Sequence, residues 1–160
     1  MLSDAAFTAY AQTYMDMVFR VAFHWLGSRA DADDVTQNVF LKLYRKERAF
    51  ESEAHVKHWL LRVAVNECKK ILRAPWRRCA PIEGNETYLP AYPPPSEEHA
   101  ALMDAVLRLK PKYRAAIYLF YYEDCTTEEI SKLLGIPRST VLTHLRRARE
   151  ALREELTKEA

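Results

Sequence analysis

At 160 residues and 49% hydrophobic composition, the chain is long enough to bury one core or two small ones. Three glycines and eight prolines leave room for few turns, so an all-α protein is expected. A formal charge of +2, from 24 basic and 22 acidic side chains, is too small to name a nucleic-acid partner by itself, and the placement of the charges matters more than their sum.

Cys68, Cys79 and Cys125 are odd in number, widely spaced and lack a C-x-x-C pair, which excludes a disulfide framework and fits a reducing cytoplasm. Asp16 and Arg20 interrupt the apolar run from Tyr14 to Leu26, and nothing else reaches bilayer length. The chain is therefore expected to be cytoplasmic, neither secreted nor membrane-embedded.

The first helix is expected from Ala5 to Leu26, where Phe7, Ala11, Tyr14, Val18, Val21, Ala22 and Trp25 recur at helical spacing and Gly27 supplies the stop. A second runs from about Ala30 to Lys46, with Val35, Val39, Phe40 and Leu43 inward. Asp31, Asp33 and Asp34 crowd its start, where the helix dipole favours acids. After a polar connection, ERAFESEAHVK, a third helix is expected over His58 to Arg73. At about 100° per residue, Leu60, Val63, Ala64 and Ile71 fall on one side of it and Arg62, Asn66, Lys69 and Arg73 on the other. From Lys57 to Arg78 seven cations stand against the single acid Glu67, and the stripe of Arg62, Asn66, Lys69 and Arg73 either meets water or binds a polyanion.

In Ala74 to Glu98 six prolines forbid a continuous helix and the periodicity vanishes. This reads as a tether, at roughly 3 Å per residue, joining two small helical domains. The expected division is 1–75, a linker over 76–97, and 98–160.

Two helices, His99 to Leu109 and Lys112 to Tyr122, are expected either side of Pro111, with Leu102, Val106, Ile117 and Phe120 inward. Thr126 and Glu129 have capping-box spacing, which begins a helix ending at Gly135; Pro137 suits the first turn of the last helix. Helix, glycine turn and second helix form a helix-turn-helix pattern, whose second helix enters the major groove. Val141, Leu145, Ala148 and Leu152 make its buried stripe and leave Ser139, Thr143, Arg146 and Arg147 outside. Arginine reads guanine bidentately, and hydroxyls near a helix start suit phosphate. The plainer alternative is a solvated basic helix in an ordinary bundle; capping, glycine placement and clustered arginine together favour DNA.

The aromatic residues Tyr10, Tyr14, Phe23, Trp25, Phe40 and Tyr44 sit on apolar faces and are expected in the core, while Trp59 and Trp76 remain open between packing and base stacking. His55, His58, Cys68 and Cys79 lack zinc-ligand spacing, and nucleophile and phosphate-loop signatures are absent, so no metal, cofactor or catalytic residue is expected.

The segments ADADDVTQNVFLKLYR, WLLRVAVNECKKILR and GIPRSTVLTHLRRAREALR, in that order and with a proline-rich stretch between the last two, resemble the extracytoplasmic-function sigma factors of bacterial RNA polymerase. The resemblance covers nearly the whole chain. It implies sigma domain 2 at the N-terminus and the helix-turn-helix of domain 4 at the C-terminus, and an initiation factor rather than an enzyme. It further implies that Asp33, Asp34, Gln37, Asn38 and Phe40 contact core polymerase, whose β and β′ subunits are the expected partners. By the same resemblance Phe50, Glu51, Lys57, Trp59, Arg62, Asn66, Lys69 and Arg73 serve a locally melted −10 strand. Arg138, Ser139, Thr140, Thr143, Arg146, Arg147 and Arg149 fall where the duplex −35 element is held. An anti-sigma factor is the further implied partner. Leu142, Thr143 and His144 stand where relatives commonly carry Lys-Ser-Arg, Val65 replaces a frequent Arg, Lys70 a frequent Asp and Asn38 a frequent Glu, so a relative's promoter consensus does not transfer. A conventional helix-turn-helix regulator and a small helical enzyme of nucleic-acid metabolism are the rival classes.

Overall fold

Ser3 starts the first helix: its hydroxyl accepts from the Ala6 N–H at 3.2 Å, satisfying a donor that has no partner inside the helix. In the computed structural model, which describes residues 2–74 and 96–158, α1 then runs Asp4–Leu26. Gly27 ends it at φ 70°, a left-handed conformation that costs glycine nothing, and its N–H reaches the Phe23 carbonyl at 2.8 Å. Ser28 caps α2 (Arg29–Tyr44) through the Asp31 N–H.

The third helix begins earlier than expected. Ser52 accepts from the His55 N–H at 3.1 Å, so α3 spans Glu53–Arg73 and takes in the last five residues before His58. A serine followed by Glu53 is itself a helix-start signal, masked in the sequence by the run of polar residues around it.

The chain divides into two compact units, Met1–Pro81 and Ile82–Ala160. In the first, α3 packs on both α1 and α2, and α1 packs on α2. Because two neighbours cover it, α3 buries a wide arc, Val56, Leu60, Leu61, Ala64, Val65 and Cys68, rather than a narrow stripe. Val63 and Ile71, expected inside, are only half-buried. Each fully buried aliphatic side chain contributes about 1.5–3 kcal/mol.

The second unit contains α4 (Glu97–Leu107), α5 (Pro111–Tyr121), α6 (Thr127–Leu134) and α7 (Arg138–Lys158), and among the described residues the seven helices are joined without a strand. Pro111 occupies the first position of α5, where a missing N–H costs nothing. Pro137 sits just before α7, one step earlier than expected, and its carbonyl accepts from Thr140 and Val141. In α4 the buried side is Met103, Ala105 and Val106; Leu102 is half-exposed, as is Phe120 of α5. Of the linker expected over 76–97, residues 76–95 lie outside the described residues, Ser96 precedes α4 and Glu97 already opens it. Trp76 and Cys79 lie outside them too.

Candidate nucleic-acid interface

Phe7, Tyr10 and Tyr14 share one face of α1, and each holds a different part of the first unit in place. Phe7 meets Phe40 and Tyr44 edge-on, with centroids 6.4 and 5.3 Å away. Tyr10 meets Phe50 edge-on at 5.6 Å, and the Tyr14 hydroxyl donates to Glu53 Oε2 at 2.6 Å. One helix face therefore fixes the end of α2, the connection after it and the start of α3.

The bond to the Glu53 carboxylate, with burial and the carboxylate's charge behind it, pushes the Tyr14 phenol up to about 12. Because the folded value lies above the ordinary 10, this contact contributes stability that is complete below pH 10 and is lost as pH rises through about 12. Tyr14→Phe is expected to cost the first unit about 1 kcal/mol at neutral pH, the low end for a charge-assisted bond because the pair is solvent-exposed. In denaturant melts from pH 9 to 12, the wild-type advantage over the variant should shrink; a constant difference would count against the bond.

Phe50 is the centre of a half-exposed aromatic group. His55 and Trp59 lie edge-on to it at 5.2 and 5.7 Å, and Lys46 Nζ stands 4.7 Å from its centroid and 5.8 Å from that of Trp59. Glu51 is exposed, its N–H donating to His55 Nδ1 at 3.1 Å. Along α3 from this group, Arg62, Asn66 and Arg73 are exposed, while Lys57 and Lys69 are half-buried. Burial, then the neighbouring Arg73 charge, pushes the Lys69 ammonium down from its ordinary value. Arg62, Asn66, Lys69 and Arg73 thus continue the aromatic group as one polar face, while Lys57 shares the side of the helix that buries Leu60, Leu61 and Ala64.

Glu67, the acid amid this basic run, does not face the cations of that stripe. It points into the unit, its side chain only 8% exposed, and receives Lys42 Nζ at 2.6 Å, Lys70 Nζ at 3.2 Å and, weakly, Asn38 Nδ2 at 3.5 Å. Burial pushes its carboxyl up, but the two lysine hydrogen bonds and charges outweigh that and leave it below its ordinary value. Glu67 thereby ties α2 to α3.

On α2, Asp33, Asp34, Gln37 and Asn38 are exposed. Phe40, expected among the contacting residues, is 5% exposed and packs on Phe7, so it supports this face from below. Leu41, which sequence reasoning missed, is 51% exposed and follows Asp34, Gln37 and Asn38 at i+7, i+4 and i+3. The spacing is a usable signal, but an apolar residue next to Phe40 reads as core.

In the second unit the turn is built tightly. Thr126 and Glu129 form the reciprocal capping box, at 3.1 and 2.9 Å. At the far end of α6, Gly135 at φ 69° lets both its N–H and that of Ile136 reach the Ser131 carbonyl, while Ser131 Oγ donates to the Ile136 carbonyl at 2.6 Å. Val141, Leu145 and Ala148 seat α7. Its outer side shows Arg138, Ser139, Arg146, Arg147 and Arg149 exposed, with Thr140 and Thr143 half-exposed.

Several of these are already held. Arg138 Nε donates to Thr127 Oγ1 at 3.0 Å and Thr143 Oγ1 to the Ser139 carbonyl at 3.0 Å. Arg149 Nε donates to the Tyr121 hydroxyl at 2.8 Å, its guanidinium 5.7 Å from that ring. The Arg147 guanidinium holds the Tyr113 phenol below its ordinary value. His144 is half-buried, edge-on to Tyr113 at 5.4 Å; burial, then Lys112 and Arg147, pushes its imidazole down. No local sequence signal pairs these tyrosines with arginines two helices later.

Residues 10–78 match the family sigma-70 region 2, and residues 99–152 match sigma-70 region 4. The ECF RNA polymerase sigma factor SigW of Bacillus subtilis is 30% identical over 166 residues, spanning 94% of this chain and 89% of SigW. The chain belongs to the ECF RNA polymerase sigma factors. The RNA polymerase sigma-E factor of Streptomyces coelicolor is 33% identical over 156 residues, 94% of this sigma factor and 85% of that one. In fold, the sigma factor is similar to RpoE of Bartonella quintana, solved in complex with the anti-sigma factor NepR, with TM-score 0.73 and 22% identity over 95% of this chain and 97% of that one. As a member of this family it is an alternative sigma factor, which directs RNA polymerase to initiate transcription at particular promoters. No helix among its described residues is long and apolar enough to cross a membrane.

Proposed function

We propose that the two units divide promoter recognition as the sequence suggests: residues 1–75 bind core polymerase and the −10 element, residues 98–160 bind the −35 element, and 76–97 join them. The observation that carries this reading is the outer side of α7, where Ser139, Arg146 and Arg147 project from the second helix of a capped helix-turn-helix. Second helices so placed enter the major groove, where arginine meets guanine and hydroxyls meet phosphate.

Asp33, Asp34, Gln37, Asn38 and the added Leu41 form the core-polymerase contact, an apolar side chain beside acids and amides. Phe50, Trp59 and His55 receive one unstacked base of the melted −10 strand by stacking, and Arg62, Asn66, Lys69 and Arg73 follow its phosphates. Lys46 stands beside that path. The factor performs no bond chemistry of its own and acts in the cytoplasm, where polymerase and DNA meet. An anti-sigma factor regulates it; RpoE, to which it is similar in fold, was solved in complex with the anti-sigma factor NepR.

Two small DNA-reading units on one chain have a low effective concentration for simultaneous binding until core polymerase sets their spacing. Footprints should therefore show both elements with core enzyme present and neither with the free protein. Asp34→Lys with Gln37→Ala, on exposed positions, should spare the helix content and remove the core-dependent footprint. A two-element footprint by the free protein, or normal start-site selection by the double variant, would overturn the assignment.

A further inference from the structure

Leu142 is 45% exposed on α7, in the second turn of the helix that otherwise shows water only polar and charged side chains there. It does not belong to the seat of the helix, which is Val141, Leu145 and Ala148. Arg138 and Arg146 lie one turn before and after it on the same side, at i−4 and i+4. Arg138 donates its Nε to Thr127 and keeps its terminal N–H groups, and the Thr143 hydroxyl donates to the Ser139 carbonyl and can still accept, so polar contacts flank an apolar side chain here. Arg146 has no side-chain partner among the described residues.

We propose that Leu142 is a specificity-determining residue of the −35 contact and reads the 5-methyl group of a thymine in the major groove. This rests on α7 being the −35 helix. The first turns of such a helix are the ones that reach base edges. An isopropyl group brought there displaces water with no hydrogen bond in return, and it leaves the polar edges of guanine, adenine and cytosine unsatisfied. Thymine alone offers an apolar surface at that depth. Four residues advance about 6 Å along the helix, and base pairs along the duplex are about 3.4 Å apart. The thymine therefore lies about one or two base pairs from the base read by Arg146.

Deoxyuridine isolates the methyl group, because it differs from thymidine by that group only. Holoenzyme reconstituted with wild type or Leu142→Ala is titrated against promoter duplexes in which each thymine of the −35 element, on either strand, is singly replaced by deoxyuridine. Position 142 is exposed, so the variant should melt as the wild type does. At one position the replacement should weaken wild-type binding about fourfold, the value of one buried methyl, and leave Leu142→Ala unaffected. The two proteins should respond alike at every other position.

If no replacement distinguishes the proteins while −35 base changes still alter wild-type binding, the inference falls and the reading of α7 stands. A variant weakened equally on all duplexes, or in assembly with core polymerase, would assign Leu142 to a protein contact and overturn the inference. Wild-type indifference to the −35 sequence would defeat the reading of α7 and this inference with it.

Discussion

Arg146→Ala in the holoenzyme is expected to flatten base preference at one position of the −35 element, at a cost of about 1–3 kcal/mol on the preferred sequence. The side chain is exposed, lies opposite the Val141, Leu145 and Ala148 seat, and its guanidinium has no partner among the described residues, so both of its outer N–H groups are available to a guanine edge. Arg147→Ala should lose discrimination to a similar extent, with a difference in cause. Its guanidinium already interacts with the Tyr113 phenol, which it holds below its ordinary value. Tyr113→Phe should therefore reproduce part of the Arg147→Ala loss.

Arg149 lies further along the helix and is clamped by Tyr121, a placement that suits phosphate. Arg149→Ala should weaken all sequences alike and reduce the salt slope by about one. Competition binding of the holoenzymes against a −35 mutant series, repeated at several salt concentrations, separates the two kinds of contact. Unchanged preference in both the Arg146 and Arg147 variants would remove α7 from base reading.

Glu67→Lys is expected to cost the first unit roughly 3–5 kcal/mol, because it buries an ammonium with no counter-charge beside Lys42 and Lys70. Glu67→Gln should cost only about 1 kcal/mol, since both lysines are half-exposed and recover water when released. The milder variant supplies the pH test. The folded carboxyl lies below its ordinary value, so its contribution is present above about pH 4.3 and disappears as pH falls through the folded value. Wild type should lose its advantage over Glu67→Gln under acid, and the two melts should converge. Trp25 and Trp59 both lie in the first unit, so their fluorescence follows it within the whole chain, while circular dichroism follows both units. Equal stability of wild type, Gln and Lys variants would show that Glu67 ties nothing together.

The proposed function is expected to depend on the same contact. Glu67 joins the helix bearing Asp34 and Gln37 to the helix bearing Arg62 and Asn66, so Glu67→Gln should loosen the register between the proposed polymerase face and the proposed −10 face.

Much of this molecule is legible in sequence alone, because helix signals are local. The stops at Gly27 and Gly135, the Thr126 to Glu129 box and the stripe of Val141, Leu145 and Ala148 act over no more than a few residues along one chain segment. The outward arginines of α7 come from that stripe by elimination, as do Arg62, Asn66 and Arg73 on α3.

Tertiary structure decided what lay across helices. Whether Glu67 joins the cations around it or turns inward depends on α2, which brings Lys42 and Asn38 to it from 25 and 29 residues away. Phe40 is core because α1 presents Phe7 to it, while its neighbour Leu41, a step of about 100° further round the helix, is 51% exposed. The clamp of Arg149 by Tyr121, like the bond of Tyr14 to Glu53, joins residues many turns apart. A helical period states which side chains share a face, but the neighbour that meets that face is chosen by packing, where burial of apolar area outweighs any single charge pair.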